Sequence, residues 1–193
     1  MPYEDKQYFY GEAPDFSKET WFSVKHTMAF DFPNLPYLID GDLKLSESEA
    51  IFRYICNKYN PELLGKNTED KAKVDMLYSF STDIRKASFN IAYETGDRTA
   101  IQALSFERFA PISKFLGAKD FIVGSYVTFP DFYIAEQIEM FDYFCDQGEL
   151  TKRLPNLATY RDRIAALSGV KEFRESDRFL ERPFNGKRAK INN

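Results

Sequence analysis

Apolar residues in this chain follow two periods, and the change from one to the other falls near Asn60-Pro61. Before that point the apolar runs are short and broken by turn residues. Asp5–Tyr10 reads as a strand ended by Gly11, with Ala13-Pro14-Asp15 as a loop. Phe16–Met28, which holds the only tryptophan, Trp21, reads as irregular or weakly helical. Tyr37-Leu38-Ile39 is a run of strand formers, Asp40-Gly41 is a two-residue hairpin signal, and Asp42–Leu45 returns as a second strand. Ser46 and Glu49 stand at capping-box spacing, and Ala50, Ile51, Tyr54 and Ile55 recur on one helical face. Asn60-Pro61 stops that helix, because the residue before proline is driven out of the helical region.

Beyond Leu63–Thr68, a linker candidate containing Gly65, the pattern is helical throughout. Val74, Leu77, Tyr78, Ser81, Ile84, Ser88 and Ile91 form one long stripe, and Ala103–Leu116 forms another in which Pro111 predicts a kink or break. Thr128 and Asp131 suggest a cap with Pro130 in the first turn, and Ile134, Ile138, Phe141 and Cys145 mark the apolar face that follows. Leu154-Pro155-Asn156-Leu157 opens a helix running to Leu167, with Gly169 ending it. The tail from Pro183 onward is polar and basic and reads as loose. The pattern predicts an α/β beginning, residues 1–63, followed by an all-α domain, residues 65–193.

The net charge of −4 gives no electrostatic reason to expect nucleic acid or an anionic membrane as partner. No apolar run is long enough to span a bilayer, and the N-terminus lacks the basic flank and apolar stretch of a secretory signal. Cys56 and Cys145 have no metal spacing and fit reduced thiols in a cytoplasmic protein; no metal is expected. His26, the single histidine, has no partner motif and reads as a surface or packing residue.

The chemistry concentrates in residues 31–51. Pro36 has no N–H, and a cis bond from Leu35 would turn the backbone groups of Leu35 outward for an extended ligand. One hairpin later, Ser48 lies in the first turn of a helix, whose free N–H groups and dipole hold anions readily. An edge for a peptide backbone and a pole for a carboxylate are thus close together. An ordinary hairpin followed by a capped helix accounts for the same residues without any ligand.

The stretch Asp31-Phe32-Pro33-Asn34-Leu35-Pro36-Tyr37-Leu38-Ile39-Asp40-Gly41 with Ser46-Glu47-Ser48-Glu49-Ala50-Ile51 resembles the glutathione-binding half of a cytosolic glutathione transferase, and the mu class in particular. Gly11-Glu12-Ala13-Pro14-Asp15-Phe16 leading to Trp21, and Arg178-Phe179-Leu180-Glu181-Arg182-Pro183, extend the resemblance over nearly the whole chain. It implies a thioredoxin-like domain followed by a helical one, in a homodimer that joins reduced glutathione to small hydrophobic electrophiles in detoxification. Carried over position by position, it implies that Asn34, Leu35 and Pro36 meet the cysteinyl part of glutathione. Glu47 and Ser48 would hold the γ-glutamyl end, and Trp21 and Lys25 the glycine end. Lys18 stands where an arginine is frequent and loses its bidentate geometry; Glu47 stands where a glutamine is common. Asp83 matches an aspartate reaching the γ-glutamyl group of the other subunit, Phe32 an aromatic that plugs into the partner, and Tyr93 a tyrosine lining the electrophile pocket.

In one respect the chain departs from the family. The mu class places a first strand and helix, roughly 20–25 residues, before the segment resembling Tyr3–Tyr10, and that strand carries the tyrosine that stabilises the thiolate. Tyr8 and Tyr10 do not correspond to it, so no catalytic residue is expected within this chain. The missing strand would lie between the two halves of the sheet, leaving Asp5–Tyr10 without a neighbour. An incomplete sequence and a naturally short protein both fit. The function is accordingly glutathione conjugation, favoured by the nearly intact binding residues, or a non-catalytic binding or structural role, favoured by the missing tyrosine. The coding sequence upstream of Met1 separates the two.

Overall fold

The computed structural model describes residues 3–145 and 148–192. The chain divides into two compact units, Met1–Tyr59 and Asn60–Asn193.

In the first unit a short helix, α1 (Glu19–Lys25), precedes an antiparallel hairpin of β1 (Tyr37–Asp40) and β2 (Leu43–Ser46), and α2 (Ser48–Tyr59) follows. The weakly helical stretch of the sequence thus settles into α1. Gly41, at φ +60°, takes the first central position of the turn and Asp42 the second, so the hairpin closes one residue later than the Asp40-Gly41 signal implied. The first position of a II′ turn requires positive φ, which glycine adopts without a Cβ clash. The Tyr54 hydroxyl donates to the Asp40 carboxylate at 2.7 Å and the Lys58 ammonium pairs with the same oxygen, fastening α2 to the end of β1. Among the described residues Trp21, Ile51 and Cys56 are the buried apolar side chains, a small core for a unit of this size.

Two sequence expectations are corrected here. Asp5–Tyr10 is not a strand: residues 3–10 join no ladder, and among the described residues the sheet holds β1 and β2 alone. The segment is anchored otherwise, with the Phe9 carbonyl accepting the Thr20 hydroxyl at 2.8 Å and the Gly11 N–H donating to the Ser17 carbonyl at 2.8 Å. Strand-forming side chains gain no stability from a ladder where the backbone pairs with no edge. The Ser46–Glu49 capping box is also absent. Ser46 ends β2 and donates its hydroxyl to the Phe32 carbonyl, while Glu49 pairs with Arg53 at 3.0 Å. The helix starts after Glu47, which sits at φ +70° and whose carbonyl accepts the Ile51 N–H at 3.1 Å.

The second unit contains α3 (Thr68–Glu94), α4 (Arg98–Leu116), α5 (Phe129–Phe144), α6 (Glu149–Arg153), α7 (Pro155–Ala165) and α8 (Val170–Arg174). At its centre α5 packs on α3, α4, α6 and α7, with Ile134, Ile138 and Phe141 wholly buried. The α3 stripe faces inward from Val74 to Ser88, and Ile91 at its end is half-buried. Pro111 does not break α4, which runs through it as one helix. It sits on the exposed face while Phe109, Ile112 and Leu116 are buried, so packing on both sides outweighs one missing backbone bond.

The tail is likewise not loose. Ala189 and Ile191 are buried, a 3₁₀ turn covers Lys190–Asn192, and the Ile191 carbonyl accepts from Arg98 at 3.3 Å. Gly96, at φ +71°, makes this docking possible, since a Cβ there would stand 2.9 Å from the Lys190 backbone. Two apolar side chains spaced along a basic tail thus seat it, together with the bond from Arg98 and that from Lys190 to the Glu94 carbonyl.

Asp131 organises the start of α5. Its buried carboxylate accepts the Thr128 N–H at 2.6 Å, the Thr128 hydroxyl at 2.8 Å, the Ile122 N–H at 2.7 Å and the Tyr160 hydroxyl at 2.8 Å. Burial pushes its pKa up against the pull of these four donors, and burial with the Asp131 charge raises that of Tyr160. Asp131→Ala is expected to cost about 3 kcal/mol or more because it strands several buried donors at once, and Tyr160→Phe about 1 kcal/mol. Urea unfolding of both variants checks this; equal, small losses would remove Asp131 from its central place.

Candidate functional site

The residues around Pro36 and Ser48 come together within the first unit. The Leu35–Pro36 peptide bond is cis, and the backbone groups of Leu35 have no hydrogen-bond partner among the described residues. The N–H groups of Ser48, Glu49 and Ala50 open α2 and lack intrahelical acceptors, as at any helix start. The Ser48 hydroxyl is also without a partner among the described residues. Two bonds tie the loop before β1 to this helix start. Asn34 Nδ2 donates to Glu47 Oε1 at 3.5 Å, and Ser46 donates to the Phe32 carbonyl. A bare peptide edge and a bare helix N-terminus are thereby held beside one another. Such a pair can bind an extended peptide group with the first and a carboxylate with the second.

An aromatic cluster supports the edge from below. Trp21 stacks on Tyr37 with centroids 6.0 Å apart, Tyr8 meets Trp21 edge-on at 5.2 Å, and Phe30 packs on Tyr37 at 5.3 Å. The Tyr8 and Tyr37 hydroxyls share a hydrogen bond of 3.2 Å. Burial first, and that bond second, push the Tyr37 phenol up to about 12. Lys18 and Lys25 both lie over the exposed Phe22 ring, at 5.9 and 5.7 Å. They form a separate cationic group on α1, and no hydrogen bond or ion pair joins them to Asn34, Glu47 or Ser48 among the described residues. Phe32 projects outward at 78% exposure. His26 is exposed, and Cys56 and Cys145 are buried and reduced.

Asp83 and Tyr93 belong to the second unit, both on α3. Asp83 is exposed and has no partner among the described residues. Tyr93 stacks on Phe89 with centroids 4.1 Å apart, and its hydroxyl accepts the Gly186 N–H at 2.8 Å. That leaves its proton free to be donated elsewhere. The sequence reading missed both Tyr37 and the tail around Gly186. Apolar Ala189 and Ile191 were the available signal for the tail; Tyr37 offered none, since its stacking partner lies sixteen residues away in α1. No group of side chains that could hold a metal occurs among the described residues, and no described helix is long and apolar enough to cross a membrane.

Comparison with known proteins bears on family and fold. Residues 1–57 match the family model of the glutathione S-transferase N-terminal domain, and residues 82–177 that of the glutathione S-transferase C-terminal domain. Glutathione S-transferase Mu 2 of Mus musculus is 34% identical over 191 residues, a match covering 97% of this chain and 85% of that protein. Glutathione S-transferase Mu 3 of Homo sapiens is 35% identical over 198 residues, covering 99% and 84%. Among solved structures, the glutathione S-transferase Blo t 8 superposes with a TM-score of 0.80 at 23% identity, covering 91% of this chain and 83% of that one. A Pi-class glutathione S-transferase of Onchocerca volvulus gives 0.76 at 23% identity, covering 90% and 84%. These two show the shared fold.

The bond from Gly186 to Tyr93 yields a direct test. Tyr93→Phe removes the acceptor, so amide exchange at Gly186 should quicken by roughly fivefold, the worth of one ordinary hydrogen bond. Unchanged exchange would mean that Ala189 and Ile191 hold the tail by themselves.

Proposed function

The chain belongs to the glutathione S-transferase family, mu-like in sequence, and from that premise we propose that it binds reduced glutathione at the Asn34–Ser48 site for transfer to small hydrophobic electrophiles. The observation that carries this reading is the bare Leu35 edge held beside the bare start of α2 by the Asn34–Glu47 bond. On this reading Leu35 pairs with the cysteinyl backbone across the gap at Pro36. Ser48 receives the γ-glutamyl carboxylate on its hydroxyl and N–H, while Glu47 accepts from the adjacent ammonium. Trp21 offers its indole N–H, and Lys18 and Lys25 their charge, to the glycine carboxylate. Asp83 serves the γ-glutamyl group of a partner copy, and Phe32 seats in the partner, which makes the working form a homodimer. Tyr93 faces the electrophile as a donor. A reduced, cytoplasmic setting suits the two buried thiols.

The chemical step needs the glutathione thiol as thiolate, although a thiol with the reference pKa of about 8.5 is mostly protonated at neutral pH. We assign no residue of this chain the part of donor to that sulfur. The phenols of Tyr8 and Tyr37 are bonded to each other, and Tyr37, pushed up to about 12, stays protonated at neutral pH.

One set of measurements tests the reading. Isothermal titration should show glutathione binding, weakened on the order of tenfold by Ser48→Ala, which loses a hydrogen bond to a charged group. No binding by the folded chain would overturn the site. In the same preparation, conjugation of a chloronitrobenzene should fall below that of the mouse Mu 2 enzyme by about 10²–10³, the usual worth of one preorganised donor. A comparable rate would instead give the donor role to Tyr8 or Tyr37, and the Tyr→Phe variants would decide which. Light scattering tests the dimer: a monodisperse monomer at micromolar concentration would refute it, along with the roles given to Asp83 and Phe32.

A further inference from the structure

We propose that Phe22 is a positioning residue for glutathione, its exposed ring gathering the Lys18 and Lys25 ammonium groups into one pole for the glycine carboxylate. The inference rests on the glutathione reading above and names the residue that makes its α1 end selective. Lys18, the N-cap of α1, stands four residues before Phe22, and Lys25 stands three after it. Helical spacing therefore puts all three side chains on one face. Trp21, one position away, turns inward at 8% exposure and stacks on Tyr37, which leaves Phe22 turned outward at 51%. The Lys18 Nζ lies 5.9 Å and the Lys25 Nζ 5.7 Å from the centre of the Phe22 ring.

A single exposed apolar residue needs no explanation by itself, but this ring is shared by two cations. Like charges on one helix face repel, and long lysine side chains left to themselves spread into water. Glu19, the one acid of α1, pairs with neither lysine among the described residues. What holds the two charges near each other is the ring, whose negative face attracts an ammonium group. The apolar lysine stems suit such a surface while the charged heads stay wet. With both charges tethered to one ring, an anion placed beside it is drawn by two ammonium groups at once. Two side chains thus supply the two-point hold that a single arginine fork would give. Phe22 thereby selects a ligand end by charge: a free carboxylate profits from the gathered lysines, and an ester at the same end does not.

The test compares the whole chain with its Phe22→Leu and Phe22→Trp variants by isothermal titration, using glutathione and glutathione esterified at the glycine carboxylate. Phe22→Leu should weaken glutathione about fivefold, the scale of exposed cation–π contacts, and leave the affinity for the ester unchanged. Phe22→Trp, whose ring face attracts cations more strongly, should keep the preference for glutathione over the ester. A second readout needs no ligand. In the free chain the ring current of Phe22 should displace the ε-methylene proton signals of Lys18 and Lys25, and Phe22→Leu should return them to ordinary lysine positions. Equal losses for glutathione and its ester would make Phe22 a structural residue of α1 and overturn the proposal. Undiminished glutathione binding by Phe22→Leu, or undisplaced lysine signals, would overturn it too. No glutathione binding by the unaltered chain would overturn the site and this proposal with it, whereas binding that ignores Phe22 overturns the proposal alone.

Discussion

Taking the Asp131 carboxylate out of water costs several kcal/mol, and the second unit recovers that cost only because four donors from three separate segments converge on two oxygens. Thr128 fixes where α5 begins, Ile122 fixes the loop that precedes it, and Tyr160 fixes α7 against it. No pair of these segments is held by a local rule; each is positioned relative to the same charge. Once α5 starts in the right place, Ile134, Ile138 and Phe141 fall into the core at helical spacing. The packing of α3, α4, α6 and α7 on this helix then follows from ordinary burial. Asp142 repeats the device on a smaller scale at the other end of α5, accepting from Thr151 at 2.7 Å and from Arg161 at 3.0 Å.

The first unit works on a different principle. It buries little, and its hairpin is held mainly at its margins: by Tyr54 and Lys58 on Asp40, by Ser46 on Phe32, and by the stack of Trp21 on Tyr37. Backbone groups that would normally be consumed by neighbouring elements are left available at Leu35 and at the start of α2. On the proposed reading the ligand would meet this main chain together with the side chains of Ser48, Trp21 and the α1 lysines. The same openness explains why Phe9, Ile39, Phe52 and Tyr59 remain exposed.

Sequence pattern served the helical unit well because its determinants are local and periodic. The α3 and α5 faces and the Thr128–Asp131 cap could be placed from spacing alone, and the cis bond at Pro36 was conditional on a single residue. The failures are those in which a distant partner decides. Asp5–Tyr10 has strand-forming side chains but pairs with no edge, and Ser46 found the Phe32 carbonyl instead of the helix it precedes. Pro111 was tolerated because its neighbours are buried, which one sequence does not disclose. The basic tail was ordered by two apolar residues and by the space that Gly96 leaves for them. In the candidate site, identities at Asn34, Glu47 and Ser48 were legible from resemblance, whereas the bond joining Asn34 to Glu47 and the stack beneath Tyr37 needed coordinates.

On the proposed reading, the arrangement at Glu47 and Ser48 also explains why a carboxylate is tolerable where a neutral amide is common. Glu47 carries a full negative charge immediately before a helix whose N-terminus carries about half a positive charge. At φ +70° it lies outside the helix, and its side chain turns to Asn34 rather than across the N–H groups of Ser48 and Glu49. Opposite fields therefore stand one residue apart. A lone anion would gain from one and lose to the other, whereas an amino-acid end group with its ammonium and carboxylate on the same carbon can satisfy both. The γ-glutamyl end of glutathione has that form. Replacing glutamine by glutamate at this point thus trades some attraction for a bare carboxylate against stricter selection of a zwitterion, and the lysines of α1 remain to meet the carboxylate at the other end of the tripeptide.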